Sequence, residues 1–398
     1  MRFRVIGLLI ILAAVGCIGI NACQNKQKPE SVVTRKKVAA DNGNINALPL
    51  DYSSPPDNPS NKEKIELGRL LFYDPILSGG KDVSCATCHH PEFGYAESLE
   101  LSIGVNGKGL GEKRVFNHGN DIPFTKRNAQ SLLNTAFNGI DRNSTYSPAL
   151  APMFWDLRAK SLEEQAMLPV KTLEEMRGHG FEEQIITKEI VARIQRIKAY
   201  QKLFDQAFGE SNAVTEKNIS RALAAFQRSL IANQSRFDKY MRGDKSAMST
   251  REIEGMQLFV STGCASCHSG PMFSDFKTHV LGVADNDKLA FVDSGFQQSF
   301  AFRTPSLRNL RFTRPYMHNG KIPTLESVLT FYEDLRGKDL PNKHIQRSQV
   351  DTLALQLKLE FKNISTIIEF LNALNDDKYD KTIPASVPSR LTVGGKIQ

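Results

Sequence analysis

The sequence predicts a mostly α-helical protein with two related domains in tandem. Apolar residues recur at helical spacing in several segments, and no alternating run is long enough to predict a substantial sheet. The pattern Cys-x-x-Cys-His occurs once in each half, at 85–89 and at 264–268. A chain of 398 residues, 40% hydrophobic and 24% charged, has the composition of a globular protein of about two domains.

The N-terminal segment 1–22 is predicted to be a lipoprotein signal peptide. Two arginines precede the apolar run 5–20, which is too short to be a dependable spanning helix. Ile20-Asn21-Ala22-Cys23 resembles a bacterial lipoprotein box, in which Cys23 is lipidated and becomes the mature N-terminus. Cleavage before Cys17, ordinary signal-peptidase cleavage and an uncleaved anchor stay open. A lipid anchor would hold a soluble protein at the membrane surface.

The next segment, 23–60, is polar and rich in Pro, Asn and Ser, which predicts a flexible tether. A helix is then expected over Lys62–Tyr73, where apolar residues repeat on one face. A second helix is expected from Glu216 to Met241, with Thr215 as its N-cap.

The second helix is followed by Arg242-Gly243-Asp244, a turn-forming triplet that predicts a domain boundary. A last helix carries Ile364, Ile367, Ile368, Leu371 and Leu374 on one face. The predicted domains are therefore 61–244 and 245–380, with a tail over 381–398.

The repeated pattern is the one that attaches a c-type haem. Its two thiols lie one helical turn apart and can each add to a vinyl group, while the following histidine ligates the iron. The attaching residues would be Cys85, Cys88 and His89 in the first half and Cys264, Cys267 and His268 in the second. The chain has six cysteines, and the other two lie in the leader, so none remains for a disulfide.

Zinc is the alternative for paired Cys-x-x-Cys motifs. Such zinc pairs usually lie some tens of residues apart and need no histidine after each pair, so two covalently bound haem c groups are the better interpretation. Covalent attachment of this kind occurs outside the bacterial inner membrane, which agrees with export to the periplasm. The formal net charge of +8 is modest and gives no reason to expect nucleic acid.

Several further motifs occur in a fixed order along the chain. They are Leu67-Gly68-Arg69-Leu70-Leu71-Phe72-Tyr73-Asp74, Ser84 to His89, Arg127-Asn128-Ala129, Phe154-Trp155-Asp156, Arg303-Thr304-Pro305-Ser306-Leu307-Arg308-Asn309 and Pro315-Tyr316-Met317-His318-Asn319-Gly320. Together they resemble the bacterial dihaem cytochrome c peroxidase family, which includes the MauG-type enzymes. The resemblance covers about residues 62 to 375.

The resemblance implies a peroxidatic haem in the first half and an electron-transferring haem in the second, with His89 and His268 as proximal ligands. In the family, a glutamine and a glutamate follow the tryptophan of the Phe-Trp-Asp motif at ten-residue intervals, and Gln165 and Glu175 occupy those positions. Glu175 would move a proton between the peroxide oxygens and Gln165 would orient the peroxide. On composition alone, both residues could lie on a solvated helix face.

Three more residues take roles from the same resemblance. Trp155, the only tryptophan, would relay electrons between the haems, although a lone tryptophan is often simply core. His118 would be a displaceable distal ligand of the first haem, although a loop histidine is usually just exposed. Tyr332 stands fourteen residues after His318, where peroxidases carry a methionine ligand of the second haem and MauG-type enzymes carry tyrosine. Met317 is a nearby alternative sulfur, and helix packing is the plain reading of Tyr332.

Asn128, Thr313 and Pro315 match positions that hold calcium in relatives, through a side-chain amide and backbone carbonyls. The expected activity is reduction of hydrogen peroxide to water, with a small periplasmic cytochrome c or copper protein as electron donor. A MauG-like oxidase of another protein or a small molecule is the first alternative. A non-catalytic electron carrier is the second. The sequence names neither the donor nor the oligomeric state, so a homodimer stays open.

Overall fold

The computed structural model of the protein describes residues 44–337 and 339–397. The expected signal peptide, Cys17 and the lipidation site Cys23 lie outside these ranges. Within them, no helix has both the length and the apolar character needed to cross a membrane.

The prediction of a mostly helical protein is confirmed. The α-helices of the described residues are α1 Lys62–Tyr73, α2 Leu162–Gln165, α3 Leu168–Lys171, α4 Glu183–Gln195, α5 Lys198–Phe208, α6 Glu216–Ser229, α7 Arg236–Met241, α8 Thr250–Ser261, α9 Leu325–Asp334, α10 Thr352–Leu355 and α11 Ile364–Ala373. The strands β1 Gly107–Lys108 and β2 Val115–Phe116 form one antiparallel pair, and β3 Thr278–Val280 and β4 Ala301–Arg303 form another. Long irregular segments connect these elements.

The first half is organised around the packing of α1 on α6. The predicted start of α1 is confirmed, and the Asn61 side chain caps it by accepting a hydrogen bond from the Lys64 amide. Gly68 lets the helices approach closely, because a Cβ there would collide with the Ala222 carbonyl oxygen and with Phe226. Buried apolar side chains of both helices, including Leu71 and Phe226, fill the core between them.

The second half repeats this packing with α8 on α11. Gly255 of α8 stands where a Cβ would collide with the Thr366 carbonyl oxygen and with Phe370, as Gly68 does in the first half. Phe259 and Phe370 are both buried there, with ring centroids 5.4 Å apart. Each Cys-x-x-Cys-His motif thus lies beside a helix pair of the same kind. In each pair, a glycine allows the helices to approach closely and an aromatic side chain packs at the contact.

The single helix expected over Glu216–Met241 is wrong, since the structure breaks it into α6 and α7. Thr215 caps α6 as predicted. Asn134 then captures the chain, because its side-chain amide donates to the Ala232 carbonyl at 2.9 Å and its oxygen accepts from the Ala232 amide at 2.8 Å. Ser235 starts a new helix with a capping box. A contact distant in sequence thus overrides the helical periodicity.

The expected tether is ordered from residue 44 onward. Ile45 is fully buried in the core of the second half, and the Leu48 amide donates to Asp238 at 2.9 Å. The Asn44 carbonyl accepts a hydrogen bond from Gly270, just after the second motif. Two buried apolar side chains in a polar segment are enough to dock it, and a composition-based prediction overlooks them.

The segment expected to be a C-terminal tail belongs to the core of the first half. Val387 is buried there together with Tyr379. The Ser389 hydroxyl donates to Asp74 at 2.7 Å, and the Gly394 amide donates to the Tyr73 carbonyl at 2.8 Å. The N-terminal end of the described chain therefore packs on the second half, and the C-terminal end packs on the first half.

Candidate functional site

Both Cys-x-x-Cys-His motifs face a cavity of about 590 Å³. The first motif contributes Cys88 and His89 to its lining, and the second contributes Cys264, Cys267 and His268. Cys85 lies on the other side of the first motif, against a small cavity of about 50 Å³ that Cys88 and His89 also line.

The first motif folds as a short 3₁₀ turn over Cys85–Thr87, and the His89 amide donates to the Cys85 carbonyl at 3.0 Å. The Nδ1 atom of His89 lies 3.0 Å from the Tyr95 carbonyl oxygen. Because a carbonyl only accepts, Nδ1 carries the proton and Nε2 keeps its lone pair. Burial lowers the pKa of His89, so the imidazole is neutral and can ligate a metal.

The second motif has the same construction. Its 3₁₀ turn covers Cys264–Ser266, and the Nδ1 atom of His268 lies 2.9 Å from the Phe273 carbonyl oxygen. Burial lowers the pKa of His268 as well. In both halves the protein orients one neutral histidine with a backbone carbonyl, as expected for an axial ligand.

These residues fit covalently attached haem better than zinc. All four motif cysteines are free thiols, so both pairs are available for thioether formation. Among the described residues, the one group with three or more close metal-ligand atoms is Cys267, Asp275 and His279, and the two cysteine pairs do not meet in a four-thiolate site. The geometry therefore does not support the alternative of a zinc site made from the two Cys-x-x-Cys pairs.

Gln165 and Glu175 line the large cavity together with His89. Gln165 ends α2 and is buried, while Glu175 lies in a π-helical turn over Leu173–Arg177. Burial raises the pKa of Glu175 to about 7, with Arg158 opposing that shift. A carboxyl group that titrates near neutral pH suits general acid–base chemistry. The register predicted from the sequence thus brings both residues to the first motif.

Two backbone contacts fix the Glu175 turn. The Val105 amide donates to the Glu175 carbonyl at 3.1 Å, and the Gly79 amide donates to the Met176 carbonyl at 2.9 Å. Gly104 packs so closely that a Cβ there would collide with the carbonyl oxygens of both Glu174 and Glu175. The turn therefore depends on loops that lie far away in sequence.

Trp155 lines the same cavity and is only 8% exposed. Its indole Nε1–H donates to the Asn128 carbonyl at 3.0 Å, and its own carbonyl accepts from the Arg303 amide at 2.7 Å. Trp155 is thus held both at its indole ring and at its backbone carbonyl, and it shares the cavity with both motifs.

Tyr332 of α9 faces the second motif, as expected from its position after His318. Burial raises the pKa of the phenol, and the neighbouring thiols of Cys267 and Cys264 raise it further. Met317 lines the same cavity, with a backbone φ of 73°. Both candidate ligands therefore line the cavity.

His118 is not brought to the cavity. It is exposed in the loop after β2, and its ring meets Phe116 edge-on with the centroids 5.0 Å apart. Asn128, Thr313 and Pro315, the expected calcium ligands, all line the cavity. The Asn128 amide nitrogen donates to the Leu99 carbonyl at 2.7 Å, which leaves its oxygen available as a ligand.

A pair of acidic residues was missed by the sequence motifs. Glu97 stands two residues after Tyr95, and Asp275 stands two residues after Phe273, so each follows the carbonyl that orients a motif histidine. Glu97 is 2% exposed, and burial raises its pKa to about 7, while the nearby Ser102 hydroxyl and Arg114 guanidinium oppose that shift. The sequence signal that could have identified these two residues is the presence of an acidic residue shortly after each motif.

Asp275 is paired with a histidine. The Nε2 atom of His279 lies 3.1 Å from Asp275, and its Nδ1 atom lies 2.6 Å from Asp351. These contacts, led by the Asp275 hydrogen bond, raise the pKa of His279 to about 11. A charged imidazolium between two carboxylates therefore lines the cavity beside Cys267.

Comparison with known proteins agrees with this geometry. A family model for the di-haem cytochrome c peroxidases matches residues 62–246. The methylamine utilization protein MauG of Methylorubrum extorquens is 33% identical over 336 residues, which cover 82% of this chain and 85% of that protein. The cytochrome c551 peroxidase of Nitrosomonas europaea is 31% identical over 342 residues, which cover 83% and 85%.

Among solved structures, a MauG-like protein associated with microbial copper homeostasis is 26% identical. It superposes with a TM-score of 0.66 over 83% of this chain and 95% of that chain. Both curated relatives extend across the two motifs and the cavity between them.

Proposed function

The chain belongs to the di-haem cytochrome c peroxidase family and is an oxidoreductase of that kind, and we propose that it reduces hydrogen peroxide to water with electrons from a periplasmic redox protein. The observation that carries the proposal is the placement of Glu175 and Gln165 beside His89 in a cavity that both motifs share. An electron carrier has no need of a buried acid–base group at that position.

Haem c would be held by Cys85, Cys88 and His89 in the first half and by the equivalent residues of 264–268 in the second. When bound, these groups supply the redox chemistry. The protein supplies access and protons. The Glu175 carboxylate accepts a proton from one peroxide oxygen and returns it to the other as the O–O bond breaks, so that the second oxygen leaves as water. The remaining oxygen becomes a second water on receiving two electrons from the donor and two protons from solvent. Gln165 offers an amide to orient the peroxide while this transfer takes place.

Trp155 is the proposed relay for electrons between the two halves. Its indole lines the cavity that both motif histidines face, and an aromatic ring in this place shortens the gap that an electron must cross. The donor would be a small cytochrome c or a copper protein that docks transiently near the second half.

A MauG-like oxidase, acting on another protein or a small molecule, is the second candidate function. Tyr332 favours it, since a phenolate ligand at the second haem stabilises oxidised iron, whereas a methionine would raise the potential. The two candidates differ in where the electrons come from. A peroxidase takes them from a dedicated donor, and an oxidase takes them from its substrate.

Rapid mixing of the half-reduced protein with hydrogen peroxide tests the proposal. With a reduced donor cytochrome present, we expect repeated turnover, seen as donor oxidation in proportion to peroxide consumed. Donor oxidation no faster than in a protein-free control would exclude the peroxidase. A long-lived oxidised product that decays only when an oxidisable protein or small molecule is added would favour the oxidase.

The ligand proposals extend to His118 and to calcium. His118 would ligate the first haem in the resting state, for which its exposed loop must move inward. Asn128, Thr313 and Pro315 would hold calcium through oxygen atoms. Loss of a bis-histidine spectrum in His118→Gln, and calcium measured by elemental analysis before and after chelation, test these assignments.

We propose a periplasmic location with a lipid anchor at Cys23. The proposal comes from the leader sequence and from the requirements of covalent haem attachment. Fractionation of cells that express Cys23→Ser tests it. Release of the variant from membranes is the expected result, and unchanged membrane association would contradict the anchor.

A further inference from the structure

Arg303, the last residue of β4, is a buried cation that the proposed chemistry does not use. Its side chain lines the cavity and is only 6% exposed. Burial lowers its pKa to about 10. Its hydrogen bonds to neighbouring oxygens show which segments it holds in place.

Those contacts hold the segment that carries Trp155. The Arg303 amide donates to the Trp155 carbonyl at 2.7 Å, and its Nε donates to the Phe154 carbonyl at 3.0 Å. Phe154 has a backbone φ of 66°, a left-handed conformation that a phenylalanine rarely adopts. Such a residue persists where its surroundings over-determine it, and two consecutive carbonyls bound by one arginine have that effect.

The same guanidinium reaches toward the first motif. Its Nη2 donates to the Gln130 side-chain oxygen at 2.9 Å. Gln130 lines the cavity together with His89.

On the other side, Arg303 is two residues before Pro305, which lines the cavity together with His268. The fork of donors on Arg303 lets it bind Phe154 and Gln130 at once, which a lysine ammonium on a flexible stem cannot reproduce.

We propose that Arg303 is a positioning residue that fixes Trp155 in the cavity that both motif histidines line. The structural part of this proposal stands on the contacts above. Its effect on electron transfer rests on the proposed function, in which Trp155 relays electrons. A change at Arg303 should therefore alter the setting of the indole first and the transfer between the halves as a consequence.

The test uses the holoprotein and exploits the fact that Trp155 is the only tryptophan. Ultraviolet resonance Raman spectra of a single indole report its side-chain dihedral and the hydrogen bond of its Nε1–H, and Trp155→Phe supplies the blank. Arg303→Lys retains the charge and Arg303→Gln removes it. Arg311→Gln is the matched control, because that guanidinium is exposed and stacks on Phe312.

We expect both Arg303 variants to shift the indole bands and to slow electron transfer from the second haem to the first by at least about tenfold. The control should match the wild type in both measurements. Wild-type indole bands in Arg303→Lys and Arg303→Gln would overturn the positioning role. Shifted bands with wild-type electron transfer would uphold the positioning role and remove Trp155 from the electron path, which is a failure of the proposed function alone.

A second variant keeps the proposal testable if the Arg303 substitutions prevent haem incorporation. Gln130→Leu removes the acceptor of Nη2 and leaves Arg303 bound to the Phe154 and Trp155 carbonyls. We expect a shift of the indole bands in the same direction and of smaller size. An unchanged indole spectrum in Gln130→Leu would contradict the link to the first motif.

Discussion

The amide of Val105 donates a hydrogen bond of 3.1 Å to the carbonyl oxygen of Glu175, so a loop seventy positions away sets the place of the acid–base candidate. Gly104, directly before Val105, makes this approach sterically possible. The position of the Glu175 carboxyl group therefore depends both on its own π-helical turn and on the loop that contains Val105.

Gly104→Ala is expected to displace the Glu175 turn, because the added Cβ would collide with the Glu174 and Glu175 carbonyl oxygens. A misplacement of about 1 Å can cost on the order of 100-fold in rate, so peroxide turnover should fall by roughly 10- to 100-fold with both haem spectra retained. Gly180→Ala is the matched control, since a Cβ there meets nothing within 4 Å. Equal turnover in the two variants would show that Gly104 does not determine the position of Glu175.

Glu175→Gln should retain both haem spectra and lose about 10² to 10⁴ of the turnover rate, as is usual for a missing acid–base group. Removing the Gln165 amide should cost less, because Gln165 orients the peroxide without transferring a proton. Steady-state peroxide assays measure both effects. Near-normal turnover in Glu175→Gln would show that another residue moves the proton.

The pH profile provides an independent check on Glu175. Burial raises its pKa to about 7, and the carboxylate is the form that accepts a proton from peroxide. Turnover should therefore fall as the pH drops through about 7. Glu174→Gln is informative here, because Glu174 raises the pKa of Glu175 and its removal should move the acid limb to lower pH. An acid limb that persists in Glu175→Gln would assign it to another group.

Tyr332→Met is expected to raise the reduction potential of the second haem, because a thioether favours reduced iron and a phenolate favours oxidised iron. The variant should gain the near-infrared band of histidine–methionine haem and should accept electrons from donor cytochromes more readily. Met317→Leu is the companion variant, since Met317 lines the same cavity. If the native protein already has that band and Met317→Leu abolishes it, the sulfur of Met317 is the ligand.

Deletion of residues 384–398 should destabilise the first half. The deletion removes the buried Val387. It also removes the hydrogen bond from Ser389 to Asp74 and the one from Gly394 to Tyr73. Loss of one buried valine and its partners should lower the free energy of unfolding by about 3 kcal/mol or more. Denaturant titration followed by circular dichroism measures the change.

Lys396→Ala provides the control for that deletion. Lys396 pairs with Asp82 at 2.7 Å, but the lysine side chain is about half exposed. Its loss should cost less than about 1 kcal/mol. A deletion no more damaging than Lys396→Ala would mean that the C-terminal segment contributes little to the core.

Residue spacing predicted those elements whose structure depends on residues close together in the sequence. The helix over Lys62–Tyr73 and the Thr215 cap follow from residue spacing, and both are confirmed. The placement of Glu175 and Tyr332 at the cavity followed from a family resemblance, because neither residue has a distinctive neighbourhood in the sequence.

The remainder depends on contacts between distant segments. Asn134 breaks the expected helix after Ser229, and Ile45 docks a segment that reads as a tether. His118 shows the opposite case, where the family resemblance implied a ligand and the described loop keeps the ring on the surface. Glu97 was recoverable in principle, since it and Asp275 follow their motifs at nearly the same interval.

The packing of each chain end on the other half has a consequence for biosynthesis. The first Cys-x-x-Cys-His motif is synthesised long before Val387 and Gly394, which complete the core of the first half. The core of the first half therefore stays incomplete until these late residues have been made. A product truncated before them would leave apolar side chains of that core exposed to proteases.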